Sequence, residues 1–447
     1  MRPGDTNRRA LGDLRHCPQA PYPYDAYHHP SMGNRLRYNI GWTLFGNTVF
    51  AAIQWAIIIL IARIGSPEMV GSYALALAIT APVFMLANLN LRAYQATDIQ
   101  DTFQFGQYLA VRLVTSTIAM CVVAGLCLLG IVQAAHVTVV LAVGTAKAFE
   151  TISDAVYGLF QRHEELDLIA QSLILRGCLG FVGMAGGLVI GGSLTAGAIG
   201  MAAAWLLVMA SVDMPRSRHF VSWSGFRLGG GTFELIRRVA PLGLVMMMVA
   251  VSQNLPAYVI EYALGTEQLG FYASVAYFLV AGRIISNAVS QSSSPRLARF
   301  LAQGDASGFR RLLHLNLLLG LGLGVAGVLI SALFGEQLLG LVYGQAYARY
   351  KLLLICTMAT AGLGFPAAFL GAALTAARRF RAMVAVNVLS LAATGLLCWW
   401  AIPLFGLLGA PLAIGIAFLL KVTVNMVVVE QFLRTVRPDL RAGDEQT

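Results

Sequence analysis

Lys147, Glu150 and Asp154 are three ionisable residues, spaced three and four apart, in an otherwise apolar stretch. On a helix turning about 100° per residue they fall within about a 60° arc, and Tyr157 and Gln161 extend the same stripe. A charge at mid-membrane costs about 2.5–3.5 kcal/mol on insertion scales, so a retained one faces a cavity or a partner. Two chemistries suit the trio. Lys147 can simply neutralise Glu150 or Asp154 in a structural polar face. Glu150 or Asp154 can also bind H+ or Na+ with Lys147 responding, which is ion coupling, and the two can hold together. The stripe is expected to face a cleft between two halves of the molecule.

Five more cations interrupt apolar runs: Arg92, Arg112, Arg176, Arg283 and Lys421. Long basic side chains near a helix end can snorkel to the headgroups, as Arg92 and Arg112 are placed to do. Arg176, Arg283 and Lys421 lie about two turns in and are expected to line an inward-open, water-filled cavity of positive potential. Such a cavity selects anions, because an arginine fork matches phosphate oxygens and lysine adds a point charge. A phosphorylated amphiphile with its headgroup at the inner leaflet fits. Exporting it moves negative charge out of a negative interior, favourable by ~2.3 kcal/mol per charge per 100 mV if no compensating charge moves. Gln54, Gln253 and Asn254 add polar groups at matching depth, and Glu261 a further carboxylate. Pro256 frees a carbonyl and should bend its helix, either as a gate or as a static kink.

Motifs for catalysis are missing. The sequence contains no G-x-x-x-x-G-K-[ST], no H-E-x-x-H and no G-x-S-x-G, so no nucleotide motor or hydrolase is expected in this chain. Cys121, Cys127, Cys178, Cys356 and Cys398 lie in apolar runs without ligand spacing and read as packing residues, like Cys17 in the tail. We expect a protein that is not an enzyme, with no cofactor and no metal. Its energy must come from an ion gradient, the membrane potential or the substrate's own gradient.

The elements that position these groups are membrane helices. Of 447 residues, 57% are hydrophobic and 12% charged, against about 25% charged in soluble domains. Apolar runs of about 20 residues recur, each able to cross a ~30 Å hydrocarbon layer. We place twelve spans near 40–62, 70–93, 107–130, 137–159, 168–190, 193–212, 239–261, 269–291, 312–334, 352–375, 382–403 and 406–429. The net charge of +10 is dispersed over loops, which points to topology and not to nucleic acid. Arginines crowd one side (Arg35 and Arg37, Arg216 to Arg238, Arg296 to Arg311, Arg378 to Arg381, Arg434 to Arg441), while the other has only Arg63, Arg349 and Lys351. Both termini are therefore expected in the cytoplasm. Residues 1–38 form a polar tail expected to be disordered, with His28 and His29 given no role and with Met32 as an alternative start. The remaining boundaries are 39–212 and 239–432 for two six-helix bundles, a linker at 213–238 including Gly229, Gly230 and Gly231, and a tail at 433–447.

The halves repeat. Gly65-Ser66-Pro67-Glu68-Met69-Val70-Gly71-Ser72-Tyr73-Ala74 joins spans one and two, and Gly265-Thr266-Glu267-Gln268-Leu269-Gly270-Phe271-Tyr272-Ala273 joins spans seven and eight. Gly197-Ala198-Ile199-Gly200 and Gly406-Leu407-Leu408-Gly409 open spans six and twelve. An even repeat keeps its direction, so the bundles should relate by an axis along the membrane normal, with the site between them.

Several segments carry a family likeness. Leu255-Pro256-Ala257-Tyr258-Val259-Ile260-Glu261-Tyr262-Ala263-Leu264-Gly265, with Leu269-Gly270-Phe271-Tyr272-Ala273, resembles spans seven and eight of bacterial polysaccharide exporters. Ser294-Pro295-Arg296-Leu297-Ala298, Gly304-Asp305, Leu91-Arg92-Ala93-Tyr94-Gln95-Ala96-Thr97-Asp98 and Gly158-Leu159-Phe160-Gln161-Arg162-His163-Glu164-Glu165 add to it. Over 38–432 the chain resembles the Wzx-like polysaccharide transporter branch of the multidrug/oligosaccharidyl-lipid/polysaccharide exporter superfamily. The resemblance implies an all-α membrane protein of about twelve helices, in two six-helix bundles forming a V around a central cavity. It implies alternating access and a substrate of undecaprenyl-pyrophosphate-linked oligosaccharide, flipped across the bacterial inner membrane, with membrane lipids around it and polymerase and export proteins as prospective partners. The headgroup would fall to Arg176, Arg283, Lys147 and Lys421, with Arg112 and Arg92 behind them. The alternatives are an ion-coupled multidrug antiporter of the same superfamily, the peptidoglycan-precursor flippase branch, which has two extra spans, and a non-transporting subunit of a polysaccharide synthase.

Overall fold

In lipid every backbone N–H and C=O must find its partner within the chain, and long apolar runs solve this as helices. The computed structural model describes residues 32–98, 102–221, 230–377 and 379–436, and among these every regular element is helical. The first half holds α1 (Met32–Ile64), α2 (Pro67–Asn88), α3 (Leu91–Thr97), α4 (Phe105–Leu128), α5 (Ala134–Arg162), α6 (Leu166–Gly191) and α7 (Leu194–Val208). A π-helical turn (Met209–Asp213) then leads into α8 (Met214–Ser217). The second half holds α9 (Gly230–Leu264), α10 (Thr266–Tyr277), α11 (Leu279–Ala302), α12 (Ala306–Tyr343), α13 (Gln345–Ala348), α14 (Lys351–Ala376) and α15 (Phe380–Phe405). After a 3-10 turn (Gly406–Leu408) comes α16 (Gly409–Val436).

Ten stretches are long and apolar enough to cross a membrane, and the bent pair α10–α11 makes eleven. One of the ten, Ala382–Leu433, has 52 residues, or about 78 Å of helix, more than twice the hydrocarbon thickness. It folds back at the 3-10 turn so that α15 packs along α16. Counting it twice brings the described spans to the twelve expected.

Helix starts are fixed by local chemistry. Ser66 caps α2 by accepting from the Met69 N–H at 3.3 Å, with Pro67 in the first turn, and Asp305 caps α12 by accepting from Gly308 at 2.8 Å. Each cap satisfies a backbone donor that the helix leaves open. Helix α9 runs unbroken through Pro256. A sharp break comes one span later, where α10 and α11 meet at 46°.

In the first half α5 packs against α2, α4 and α7, and α6 against α1 and α7. In the second, α14 packs against α11, α12 and α16, and α15 against α9 and α16. The halves meet chiefly where α2 lies against α9 and α10. Of the anticipated linker, 214–217 forms α8 and 230–238 opens α9, while 222–229 falls outside the described residues, as do 1–31 and 437–447 of the two tails.

Between α3 and α4, the Asp98 carboxylate accepts from Thr102 N at 3.1 Å, Phe103 N at 3.2 Å and the Tyr108 hydroxyl at 2.8 Å. Burial alone would push this carboxyl up. The hydrogen bonds from Tyr108, Thr102 and Phe103 outweigh it and hold the group below its ordinary value. A carboxyl depressed by folding stabilises above its unfolded pKa, and that stability is lost as pH falls through the folded value. Asp98→Ala is expected to cost about 1.5–3 kcal/mol at neutral pH and distinctly less in acid below both values, where only the neutral carboxyl's bonds remain to be lost. Thermal unfolding of the two chains across that pH range checks it.

Candidate functional site

The second half encloses a cavity of about 460 Å³ lined by α9, α10, α11, α14, α15 and α16, a size typical of small-ligand sites. Gln253 and Pro256 of α9 line it, with Ser286 and Asn287 of α11, Thr357 and Thr360 of α14, and Asn387, Ser390 and Thr394 of α15. Arg283 and Lys421 are the charged residues of this wall; no described carboxylate lines it. Lys421 Nζ donates to Asn387 Oδ1 at 3.0 Å. Hydroxyls, amides and two uncompensated cations together suit an anion that carries hydroxyl groups.

The first half does the opposite with its charges. Arg112 is fully buried and donates to Asp154 Oδ2 at 2.6 Å and to the Asn88 backbone carbonyl at 2.9 Å. Arg92 reaches Asp154 Oδ1 at 3.4 Å and Gln161 Oε1 at 2.9 Å. Lys147 donates to Glu150 Oε2 at 2.7 Å, and Arg176 Nη2 lies 3.6 Å from Glu150 Oε1. Arg176 is buried and its guanidinium sits 5.2 Å from the Phe50 and Trp205 rings and 5.6 Å from that of Tyr157.

These contacts revise three expectations. Arg112 does not snorkel, because Asp154 and Asn88 hold it inside the bundle. Arg176 is packed among aromatic rings and lines no described cavity. The stripe on α5 is divided: Tyr157 turns into the bundle and bonds Ser172 Oγ at 2.6 Å, while Asp154 and Gln161 border a hollow of about 280 Å³ that Met246 of α9 closes from the other half. Removing one member of a buried ion pair typically costs about 3–5 kcal/mol because the other stays unpaired. Asp154→Ala strands Arg112, and we expect a loss near the lower figure in thermal unfolding, with Asp154→Ala/Arg112→Met recovering most of it.

At the end bearing the two repeated turns, the halves are locked together. Gly71 on α2 and Gly270 on α10 hold equivalent places in the repeat and approach so closely that a Cβ on Gly71 would overlap the Thr266 carbonyl, and one on Gly270 the Pro67 carbonyl. His136 of α5 bonds Ser72 Oγ through Nδ1 and Thr266 Oγ1 through Nε2, both at 3.1 Å, and Thr266 donates to Glu261 at 2.8 Å. Trp55 Nε1 donates to the Tyr343 hydroxyl at 2.6 Å, and Arg63 caps the end of α12 at the carbonyls of Gly340, Leu341 and Val342. Tyr258 donates to the Ala78 carbonyl.

No family model matches the chain. It is 26% identical over 383 residues to the capsular polysaccharide biosynthesis protein CapF of Staphylococcus aureus, covering 85% of this chain and 95% of that one. Among solved structures it is similar to an inward-facing multidrug resistance MATE family transporter of the MOP superfamily. That match has a TM-score of 0.68 and 14% identity, and covers 91% of this chain and 99% of that one. The two chains share a fold. Lipid II flippase MurJ in an inward closed conformation shares it, with a TM-score of 0.67 and 11% identity over 88% of this chain and 89% of that one.

Within this fold, the expected polar residues separate by location. Gln253, Pro256, Arg283 and Lys421 share the second-half cavity; Gln54 is half-buried on α1; Asn254 bonds back to the Ala250 carbonyl; Glu261 belongs to the locked end. The sequence reading missed His136, Asn387 and Asp213. A polar residue opposite a cation one helix away leaves no local pattern, and Asp213 was lost because span six was ended at residue 212.

Proposed function

We propose that this chain is a flippase that carries an undecaprenyl-pyrophosphate-linked oligosaccharide from the inner to the outer leaflet of the bacterial inner membrane, for surface polysaccharide biosynthesis. The observation that carries the reading is the second-half cavity, whose charged wall is Arg283 and Lys421 without a facing carboxylate. That cavity takes an anionic headgroup, while its hydroxyls and amides accommodate sugars without dictating which. The relationship to CapF and the fold shared with MurJ support the same class of cargo.

Alternating access follows from the asymmetry between the ends. By the distribution of Arg and Lys, the arginine-rich loops and both termini are cytoplasmic, so the locked end faces outward and the cavity loads from inside. Lys147, Arg176, Arg112 and Arg92 shape the first bundle through carboxylate pairs, and Arg283 and Lys421 take the phosphates. Glu150 and Asp154, held in those pairs, are the groups proposed for coupling to H+ or Na+.

The multidrug antiporter is the second reading, favoured by the solved MATE neighbour. A cationic drug requires an acidic cavity, and the sign here is reversed. Native mass spectrometry of the purified chain, offered the pyrophosphate-linked oligosaccharide and a cationic dye together, separates the two. Retention of the lipid-linked saccharide is expected, and selective retention of the dye would overturn the proposal.

A further inference from the structure

Asp213 is fully buried in the π-helical turn between α7 and α8. Ser172 of α6 donates to its Oδ1 at 2.6 Å, and the Tyr157 hydroxyl of α5 contacts Ser172 Oγ at 2.6 Å. Its Oδ2 is buried and makes no well-formed hydrogen bond, although the buried Ser153 hydroxyl of α5, itself without another partner, lies close to the carboxyl. A π-turn inside an α-helix is a costly local irregularity, often found where function demands it. Here the turn ends on Asp213, whose carboxyl Ser172 of α6 bonds.

The charged and titratable groups around this carboxyl are Tyr157 on α5, Arg176 on α6 and Arg216 on α8. No described cation lies within ion-pair distance of it, unlike Glu150 and Asp154. Arg176 is itself incompletely engaged: Nε and Nη1 are buried without a partner, while Nη2 makes only the 3.6 Å approach to Glu150. A buried arginine with two free donors and a buried carboxyl with one free oxygen therefore share the core of one bundle.

We propose that Asp213 is a proton-binding site, and that its protonation decides whether Arg176 pairs with Glu150 alone or also with Asp213. With the proton on Oδ2 the carboxyl is neutral, accepts from Ser172 and makes no ionic demand. With the proton gone, Oδ2 becomes a charged acceptor for the free Arg176 donors. Drawing the guanidinium toward it loosens the Glu150 contact and returns Glu150 to Lys147. Ser172 and Tyr157 form the hydrogen-bonded file beside the site. The ligand is H+ and not a metal cation, since Oδ2 faces no second carboxylate and an arginine occupies the neighbourhood. The inference concerns the first bundle and stands apart from the substrate assigned to the second.

Infrared difference spectroscopy of the full chain in nanodiscs, on a pH jump without substrate, reads the C=O stretch of a protonated carboxyl. A pH-dependent band is expected in the wild type, absent in Asp213→Asn and retained in Glu150→Gln and Asp154→Asn. Ser172→Ala, which removes one donor and little volume, should keep the band and shift its midpoint. A band that survives Asp213→Asn, or none in a folded wild type, would overturn the proposal. Should Asp213→Asn fail to fold, a band unmoved by Ser172→Ala would do so as well.

Discussion

Arg283→Ala and Lys421→Ala should each weaken binding of a pyrophosphate-linked oligosaccharide by about 30-fold or more. Truncating one partner of a desolvated charge contact costs about 2–5 kcal/mol, and every 1.4 kcal/mol is tenfold. Both cations line one cavity, so they act on the same phosphates and the double variant should fall short of additivity. Lys421→Arg should retain more affinity than Lys421→Ala, because charge is preserved although Asn387 then meets a differently shaped donor. Lys147→Ala serves as the contrast. Its ammonium is committed to Glu150 at 2.7 Å, and its loss should change affinity by no more than a few fold while lowering stability. Native mass spectrometry titrations give both quantities. Equal losses for Lys147 and Arg283 would place the headgroup across both bundles instead.

The second large effect belongs to the locked end. Gly71→Leu puts a side chain where the Thr266 carbonyl and Gly270 already press on α2. Overpacking a close contact typically costs about 1–3 kcal/mol, and that cost falls on the state in which the contact exists. A differential of this size moves a two-state equilibrium by roughly 5- to 150-fold. Spin labels at Gln133 and Glu267, both exposed beside the junction, should then report a longer distance component that is minor in the wild type. Loss of the Arg63 cap on α12 should move the same distribution in the same direction by less, since Arg63 is exposed and its contacts are partly replaced by water. An unchanged distribution in Gly71→Leu would show that the junction is not what holds this conformation.

Much of the fold was legible because the bilayer enforces it. Apolar run length marks the spans, and the repeated turns at Gly65 and Gly265 mark the two halves; that Gly71 and Gly270 of those turns come into backbone contact is visible only in the structure. Charges were harder. Arg283 and Arg176 look alike in sequence, each a cation about two turns inside an apolar run. What separates them is their surroundings: Phe50, Tyr157, Trp205 and Glu150 enclose Arg176, whereas Arg283 opens on a cavity. Those neighbours come from other helices, and a single sequence carries no record of which helices touch. Pro256 sits in a helix that stays continuous through it, while the break between α10 and α11 falls where no proline marks it.

The pairing pattern gives the two bundles distinct roles. The first pairs Arg92, Arg112, Lys147 and Arg176 with Asp154 and Glu150; the second leaves Arg283 and Lys421 of its cavity without a facing carboxylate. An anion site in the second bundle and a proton site in the first, as proposed above, would communicate chiefly through the contact of α2 with α9 and α10.

The most direct test is transbilayer movement itself. Liposomes containing the purified chain would receive a fluorescent undecaprenyl-pyrophosphate oligosaccharide in one leaflet, and its arrival in the other would be followed with a membrane-impermeant quencher. Movement well above protein-free liposomes, and near background in Arg283→Ala, is the predicted result. Movement at the protein-free rate by the folded wild-type chain would contradict the account.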